Sequence, residues 1–134
     1  MMSHILGRRR WLMVLIAALA LSASAAVRSQ EPAKTVRLTI DYGDGVQKVF
    51  TALPWKADLT VLGALEAAAR HPRGIKFTHR GTGADAFVTA IDEVANEGRG
   101  KNWTYLVNNK RAATSAGVCA LDAGDSVVWR YASQ

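Results

Sequence analysis

The sequence is poor in cysteine and in clustered positive charge. Its single cysteine, Cys119, has no partner within the chain, so an internal disulfide is excluded. The residue lies in an apolar stretch and is interpreted as a small buried hydrophobic side chain rather than a nucleophile. The net charge is +6, but three of the 17 basic residues stand together at 8–10 and the others are scattered. Without a basic patch, nucleic acid is not expected as a partner.

The sequence also lacks the side-chain sets that carry catalysis or hold a metal. His71 and His79 have no partners at metal-ligand spacing, and no Ser/His/Asp set or pair of catalytic carboxylates emerges. Asp41 and Asp44 flank a glycine turn, but a calcium loop requires roughly 6–8 oxygen ligands. A tight hairpin explains these two carboxylates better. We therefore expect no catalytic residues, no enzymatic activity and no bound metal.

The longest apolar run is short and lies near the N-terminus. Arg8–Arg10 precede the run at 11–21, and Ala23 and Ala25 follow it in a small-x-small cleavage pattern. A membrane span needs about 20 apolar residues, so residues 1–25 are predicted to be a cleaved signal peptide that touches the membrane only in transit. General secretion and twin-arginine export both remain open. The expected destination is periplasmic or secreted.

One domain is expected at 35–132, after a flexible lead-in at 26–34. Its first strand is predicted at 36–42, where apolar and polar residues alternate. Glycines at 43–45 allow the positive φ angles of a tight turn, and a returning strand is predicted at 46–53. The domain therefore begins with a β-hairpin.

A single amphipathic helix is predicted at 61–70. Asp58 and Thr60 are candidate N-caps, and the ring of Pro72 disfavours helical geometry at His71. Apolar side chains recur at spacings of three and four along one face, namely Leu62, Leu65 and Ala69. This face must be buried against another element of the domain.

Further strand signals follow the helix at 75–78, 86–91, 103–107 and 126–131, separated by glycine and asparagine turns. Two strands, one helix and several more strands form an α+β pattern. Because the apolar face of the helix has nowhere else to pack, the helix is expected to cover one face of a mixed sheet. That arrangement is the outline of a β-grasp.

Four aromatic residues stand out in the last two strands. Strand alternation directs Trp103 and Tyr105 to one side of their strand and Trp129 and Tyr131 to one side of theirs. If the strands are neighbours, the four rings share a face. They are interpreted either as a core beneath the helix or as an exposed stacking surface for a planar ligand.

Five short motifs follow one another through the domain. They are Ile40-Asp41-Tyr42-Gly43-Asp44-Gly45, Leu59-Thr60-Val61-Leu62-x-Ala64-Leu65, Ile91-Asp92-x-Val94-x-Asn96-Glu97-Gly98, Asn102-Trp103-x-Tyr105-x-Val107-Asn108 and Leu121-x-x-Gly124-Asp125-x-Val127-x-Trp129-x-Tyr131. In this order they resemble the transcobalamin-like C-terminal domain family, a bacterial family of largely unknown function. The resemblance covers about 35–131 and implies a β-grasp fold related to soluble-ligand-binding β-grasp domains.

The resemblance also implies a ligand and a place for it. In eukaryotic cobalamin carriers such a domain forms a lid over the corrin ring, which an aromatic strand segment and a Gly-Val turn approach. The matching positions here are Trp103, Thr104, Tyr105, Gly117 and Val118. Cobalamin or another corrinoid is the ligand implied. The carriers hold a helical domain opposite the lid, which this sequence does not contain, so a partner protein would have to supply the second wall.

The sequence thus predicts an exported, non-catalytic module that binds a small ligand, alone or as half of a shared site. The alternative is a protein-interaction module that docks in an envelope complex and takes no small ligand. A concave apolar pocket beside Trp103 would favour the ligand. A flat apolar face or an open strand edge would favour the protein partner.

Overall fold

The computed structural model describes residues 32–134. The predicted signal peptide at 1–25 and most of the predicted lead-in at 26–34 lie outside these residues. The described chain forms one unit from Ala33 to Gln134. None of its helices has the length and apolar character that a membrane crossing requires.

Within residues 32–134 the chain forms eight strands and one α-helix. In chain order they are β1 (Thr35–Asp41), β2 (Gln47–Pro54), α1 (Val61–Arg70), β3 (Phe77–Arg80), β4 (Phe87–Ile91), β5 (Val94–Ala95), β6 (Lys101–Val107), β7 (Lys110–Arg111) and β8 (Ser126–Ser133). The fold is α+β, as the sequence predicts.

A five-stranded mixed sheet has the order β2-β1-β8-β6-β7. Strands β1 and β8 are parallel, whereas β1 with β2 and β6 with β8 are antiparallel. Helix α1 packs over β1 and β2 on one face. One helix on one face of a mixed sheet confirms the predicted β-grasp.

The β1–β2 turn explains the two carboxylates at the glycine motif. Gly43 has φ +77°, and a Cβ at this position would collide with the carbonyl oxygen of Tyr131. Asp41 Oδ1 accepts a hydrogen bond from the Gly43 N–H at 2.9 Å, and Asp44 Oδ1 accepts one from the Val46 N–H at 3.0 Å. Both carboxylates therefore stabilise the turn by capping its free amides.

The boundaries of α1 agree with the predicted helix at 61–70. The Thr60 hydroxyl caps the first turn by accepting a hydrogen bond from the Gly63 N–H at 3.1 Å. The buried face consists of Val61, Leu62, Ala64, Leu65 and Ala68. Ala69, which was placed on this face from its spacing, is exposed, because each helical residue turns about 100° from the last and Ala68 takes the inward position.

A separate three-stranded antiparallel sheet has the order β3-β4-β5. The sequence indicates β3 and β4 but not that they leave the main sheet. This second sheet lies over the end of the main sheet that carries β6 and β8. Side-chain hydrogen bonds join the two, since the Trp103 indole N–H donates to the Val94 carbonyl at 2.7 Å and the Tyr131 hydroxyl donates to the Ala95 carbonyl at 2.8 Å.

Candidate functional site

Four aromatic rings occupy the inner face of β6 and β8. Trp103 lies opposite Tyr131, and Tyr105 lies opposite Trp129, in the antiparallel register. The ring centroids are 5.1 Å apart in both pairs, within the range of favourable aromatic contacts. Trp103, Tyr105 and Trp129 are buried, at 5%, 7% and 3% exposure, and Tyr131 is half-buried. The rings therefore form part of the core.

The cover over these rings is not the helix that the core interpretation assumed. The Trp103 indole N–H and the Tyr131 hydroxyl donate hydrogen bonds to main-chain carbonyls of β5. The Tyr105 hydroxyl donates to the Thr114 carbonyl at 2.5 Å. Burial also raises the pKa of the Tyr105 hydroxyl, which keeps it a neutral donor. The second sheet and the chain after β7 therefore cover the aromatic face, while α1 covers β1 and β2.

Trp129 differs from Trp55 and Trp103 in its hydrogen bonding. The indole N–H of Trp55 donates to the Leu121 carbonyl at 2.7 Å, and that of Trp103 is also bonded. The Trp129 indole N–H is buried and has no partner within residues 32–134. A buried donor without a partner costs about 1–3 kcal/mol. Such a group in the core calls for an explanation, such as strain or an ordered water.

A cavity of about 210 Å³ is lined in part by Trp129. We call it the aromatic cavity. Strand β6 pairs with β7 only at Leu106 and Val107, so the edge of β6 before Leu106 has no strand partner and borders the cavity. The lining residues come from three parts of the fold. They are 103–105 and Trp129 of the main sheet with Gln134 just after β8, 86–88 at the start of β4, and Arg111 of β7 with Ala112 and 114–116 in the chain that follows it.

The aromatic cavity has few charged side chains around it. No Asp or Glu is among the described residues that line it, and Arg111 is the one lining residue there with a charged side chain. The Arg111 side chain is exposed and has no ion pair within residues 32–134. The Ser115 hydroxyl is already engaged, since it donates to the Ala86 carbonyl at 2.7 Å. The cavity is therefore lined by polar and apolar surface in similar amounts, with one cationic side chain among its lining residues.

Residues 112–118 form a loop that closes one side of the cavity. Its position is fixed by Ser115, bonded to Ala86, and by Gly117, whose N–H donates to the Ser115 hydroxyl at 3.2 Å. A Cβ on Gly117 would collide with the Gly83 carbonyl oxygen and approach the Ala86 Cβ to 2.8 Å. Only glycine permits this close approach of the loop to the turn before β4.

The five residues implied by the resemblance fall into two groups. Trp103, Thr104 and Tyr105 line the aromatic cavity. Alternation directs the Thr104 side chain to the opposite face of the sheet, so this residue borders the cavity at the strand edge. Gly117 and Val118 belong to the 112–118 loop but do not line the cavity, and Val118 is 48% exposed.

A shallow groove continues the cavity on the other side of Trp103. Its volume is about 650 Å³, and it shares Phe87, Trp103 and Gln134 with the cavity. Phe87 is 47% exposed, and the Arg80 guanidinium lies over its ring at 4.9 Å from the centroid. An exposed aromatic ring beside a cavity offers a stacking surface for the part of a ligand that remains outside.

Away from the cavity, Asp92 joins the β1–β2 hairpin to the second sheet. Its carboxylate accepts hydrogen bonds from the Tyr42 hydroxyl, from Lys48 Nζ at 2.9 Å and from the Lys76 N–H at 2.9 Å. Partial burial acts to raise the pKa of Asp92, but the hydrogen bonds from Tyr42 and Lys48 outweigh it and lower that pKa. Burial and the Asp92 carboxylate raise the pKa of Tyr42. This network holds the two sheets together.

Several cavity residues are not indicated by the sequence. Arg111 belongs to a two-residue polar strand, and Phe87 begins a strand with its side chain exposed. Ser115 lies in a loop whose partner, Ala86, is 29 residues away. Trp129 is singled out by its place among the four aromatics, but nothing in the sequence shows that its indole would lack a partner.

The chain resembles known families and structures. The family described as a domain of unknown function (DUF4430) matches residues 58–133. No match is found among curated proteins.

Two solved structures share the fold. One is a proposed metal-binding protein of Ruminococcus gnavus, with a TM-score of 0.56 at 20% identity, covering 75% of this chain and 98% of that one. The other is haptocorrin in complex with cobinamide, with a TM-score of 0.62 at 17% identity, covering 81% of this chain. The chain spans only 28% of the haptocorrin chain.

Residues 32–134 contain no cluster of three or more His, Cys, Asp or Glu side chains that could hold a metal ion. The aromatic cavity, which is lined by residues from three parts of the fold, is the candidate binding site.

Proposed function

The chain belongs to the DUF4430 family, the family of transcobalamin-like domains, and on that premise we propose that it is an exported, non-catalytic domain that binds a small ligand in the aromatic cavity. Export is supported by the basic, apolar and small-residue segments at 1–25. The cavity beside Trp103 carries the binding assignment, because small-molecule sites are concave, mostly apolar and provided with a few polar groups. The haptocorrin fold, which holds cobinamide in a solved structure, supports the same assignment.

The size of the cavity limits how a ligand would bind. Sites for drug-sized molecules measure roughly 300–1,000 Å³, and the aromatic cavity measures about 210 Å³. It therefore encloses one ring or one side group of a larger molecule. The remainder would lie across Phe87 in the adjoining groove. A corrinoid would insert an edge substituent, and a partner protein would cover its other face.

Titration of the protein with cobinamide and cobalamin tests this function. The protein is purified from cells that express the full 134-residue chain, and tryptophan fluorescence is followed with correction for corrin absorbance. Because Trp103 and Trp129 line the cavity, a bound ligand should change the emission saturably.

A matched pair of variants locates the site. Ala112 lines the cavity, whereas its neighbour Ala113 is exposed and does not. Ala112→Phe should obstruct the cavity and weaken binding about tenfold or more, and Ala113→Phe should leave the affinity unchanged. Equal affinities for both variants would place the bound ligand elsewhere. No saturable binding of either corrinoid would remove corrinoids from consideration for the isolated protein.

A second candidate function is docking of a protein partner at β2. This strand is at the edge of the main sheet within the described residues, and Val46 and Val49 are 55% and 42% exposed beside it. An open strand edge accepts an added strand from another chain. Val49→Lys would abolish such docking, and co-purification of an envelope partner would measure that loss. Ligand binding in the aromatic cavity should stay intact.

A further inference from the structure

The main sheet has an outer face that neither α1 nor the second sheet covers. Strand alternation puts Leu38, Val127 and Trp129 on the inner face, where they are buried. Helix α1 packs on this inner face, and the second sheet is bonded to the inward-facing Trp103. The alternate residues of the same strands point to the opposite side, which we call the outer face.

A row of aliphatic and β-branched side chains crosses the outer face. Val49 of β2 lies opposite Thr39 of β1, Thr39 lies opposite Val128 of β8, and Val128 lies opposite Leu106 of β6. Val49 is 42% exposed, and Val128 and Leu106 are half-buried. We call these four residues the outer row. A sheet gains stability when such a row is buried against a second layer.

Unlike charges stand on the two sides of the outer row. On β1, Arg37 and Asp41 each lie two residues from Thr39 and share its face. The Arg37 side chain is exposed and takes part in neither of the ion pairs within residues 32–134. Asp41 is paired with Arg130 only at 3.7 Å, and its side chain remains 20% exposed. One cation and one anion are therefore placed symmetrically about the row.

This arrangement is self-complementary. A two-fold axis along the outer row turns the face of one copy onto the face of another, so that Val128 meets the partner's Val128. The same rotation exchanges the two sides of the row. It places Arg37 over the partner's Asp41 and Asp41 over the partner's Arg37, because a two-fold axis repeats every contact. Apolar side chains then meet apolar ones, and unlike charges meet twice.

We propose that the outer face is the interface of a symmetric homodimer, in which two copies of this chain pack their outer rows face to face. The strands of the two sheets cross at about 30°, as in a β-sandwich. This inference goes beyond the proposed ligand function. The rings that line the aromatic cavity lie on the inner face, so the dimer leaves that cavity free.

The size of the outer face sets the strength of the association. Four strands that are about 4.8 Å apart and about seven residues long give a face of roughly 450 Å² per copy. Stable specific interfaces bury about 800 Å² per partner, and smaller ones are transient. We therefore expect a dimer that dissociates on dilution into the micromolar range.

Sedimentation equilibrium of the purified protein tests the dimer. The mass should rise from that of one copy to that of two as the concentration increases from micromolar to about 1 mM. Added salt should weaken the association, because it screens the unlike charges that meet across the two-fold axis.

A pair of charge reversals tests the predicted contact. Arg37→Glu brings like charges together twice in the dimer and should weaken association about tenfold or more. Arg70→Glu makes the same change of charge at the exposed end of α1, on the inner side of the sheet, and should leave the association unchanged.

Mixing two variants tests the symmetry of the contact. Asp41→Lys should also weaken self-association, because its new charge faces the partner's Arg37. An equimolar mixture of the Arg37→Glu and Asp41→Lys proteins should form mixed dimers, since both contacts then join unlike charges. Asp41 also accepts a hydrogen bond from the Gly43 N–H, so urea denaturation is used to show that the Asp41→Lys protein is folded.

Val128→Lys separates packing of faces from pairing of strand edges. Val128 lies on β8, which has β1 and β6 on its two sides, so the substitution puts two like charges on the axis and should abolish the dimer. Val46→Lys adds the same charge at a 55% exposed residue outside the outer row and should have no effect. Urea denaturation shows whether both proteins are folded.

Three outcomes would overturn the homodimer. A mass that stays that of one copy up to about 1 mM would show that the outer face does not bind a second copy. Equal effects of Arg37→Glu and Arg70→Glu would reduce the association to the overall charge of the protein. A dimer that tolerates Val128→Lys would form elsewhere, with the β2 edge as the first alternative. Corrinoid titration tests the proposed function separately in each case.

Discussion

The two ends of the main sheet are built from different side chains. At the helix-covered end, Leu38, Val61 and Leu65 are each 0% exposed, and the packing is aliphatic. At the aromatic end, β6 and β8 lie under the second sheet. There the packing is aromatic, and the side chains of Trp103, Tyr105 and Tyr131 each donate one hydrogen bond to a main-chain carbonyl. The aromatic end contains the aromatic cavity and the unpaired Trp129 donor, whereas the helix-covered end carries a separate pocket between β2 and the residues after α1.

This difference follows from what each side-chain type requires. Aliphatic side chains gain stability from burial in any orientation that fills space. Tryptophan and tyrosine are rigid and carry a polar edge that needs a partner when buried. A face built from them depends on several long-range hydrogen bonds and leaves space wherever a rigid ring does not fit its neighbour. We infer that the helix-covered end supplies stability and that the aromatic end supplies recognition at some cost in stability.

The largest expected effect is that of Trp103→Ala at the aromatic end. Trp103 is 5% exposed and is bonded to β5, so its truncation should lower the free energy of unfolding by about 3–5 kcal/mol. Urea denaturation measures the change. A stable variant would mean that the rings at this end are a dispensable surface, contrary to their burial.

Leu65→Ala tests the helix-covered end. Because Leu65 is 0% exposed, the free energy of unfolding should fall by about 2–5 kcal/mol. The affinity of the folded fraction for any ligand of the aromatic cavity should stay the same, since Leu65 does not line the cavity. Urea denaturation and ligand titration of one preparation give both values. A weakened affinity would show that the two ends are coupled.

Two tryptophan substitutions compare a bonded donor with an unbonded one. Trp103→Phe leaves the Val94 carbonyl without its donor, whereas Trp129→Phe removes a donor that has no partner in the described chain. Loss of ring volume is similar in both. Trp103→Phe should therefore be more destabilising than Trp129→Phe by about 1 kcal/mol, as measured by urea denaturation. Equal losses would imply that the Trp129 donor is satisfied in solution.

The smallest expected effect concerns the Asp92 network that joins the sheets. Since the folded state lowers the pKa of Asp92, its stabilisation is fully present above the ordinary Asp pKa of ~3.9 and is lost as the pH falls through the lowered value. Asp92→Asn should destabilise the protein at neutral pH by less than about 1 kcal/mol, because the ion pair with Lys48 is partly exposed. Denaturation at several pH values should show a smaller loss on acidification in the variant. An identical pH profile would contradict this assignment.

Local signals in the sequence predicted much of the main sheet and all of α1. Thr60 and Pro72 mark the helix boundaries, and alternation correctly places Trp103 and Trp129 on one face. The second sheet was not distinguished, because β5 has two residues and its role depends on hydrogen bonds from Trp103. These contacts require the folded chain, since no periodic pattern encodes which carbonyl an indole N–H will meet.

The candidate site was predicted in part. The motifs brought Trp103, Thr104 and Tyr105 to attention, and all three line the aromatic cavity. Arg111 could not be recognised, because an exposed arginine beside a turn is common and its importance comes only from the cavity next to it. The volume of a cavity and the presence of an unsatisfied hydrogen-bonding group depend on how side chains pack in the folded chain. A single sequence therefore does not predict them.

The contact of Gly117 with the turn before β4 has a consequence for how relatives of this domain could diversify. Because Gly117 has no side chain, the 112–118 loop can lie close against the turn before β4. Any Cβ at this position would collide with Gly83 and Ala86. Replacing that glycine would lift the loop and widen the aromatic cavity without altering a residue that lines it. The size of the aromatic cavity thus depends on one position outside its lining, while the rings that line it stay unchanged.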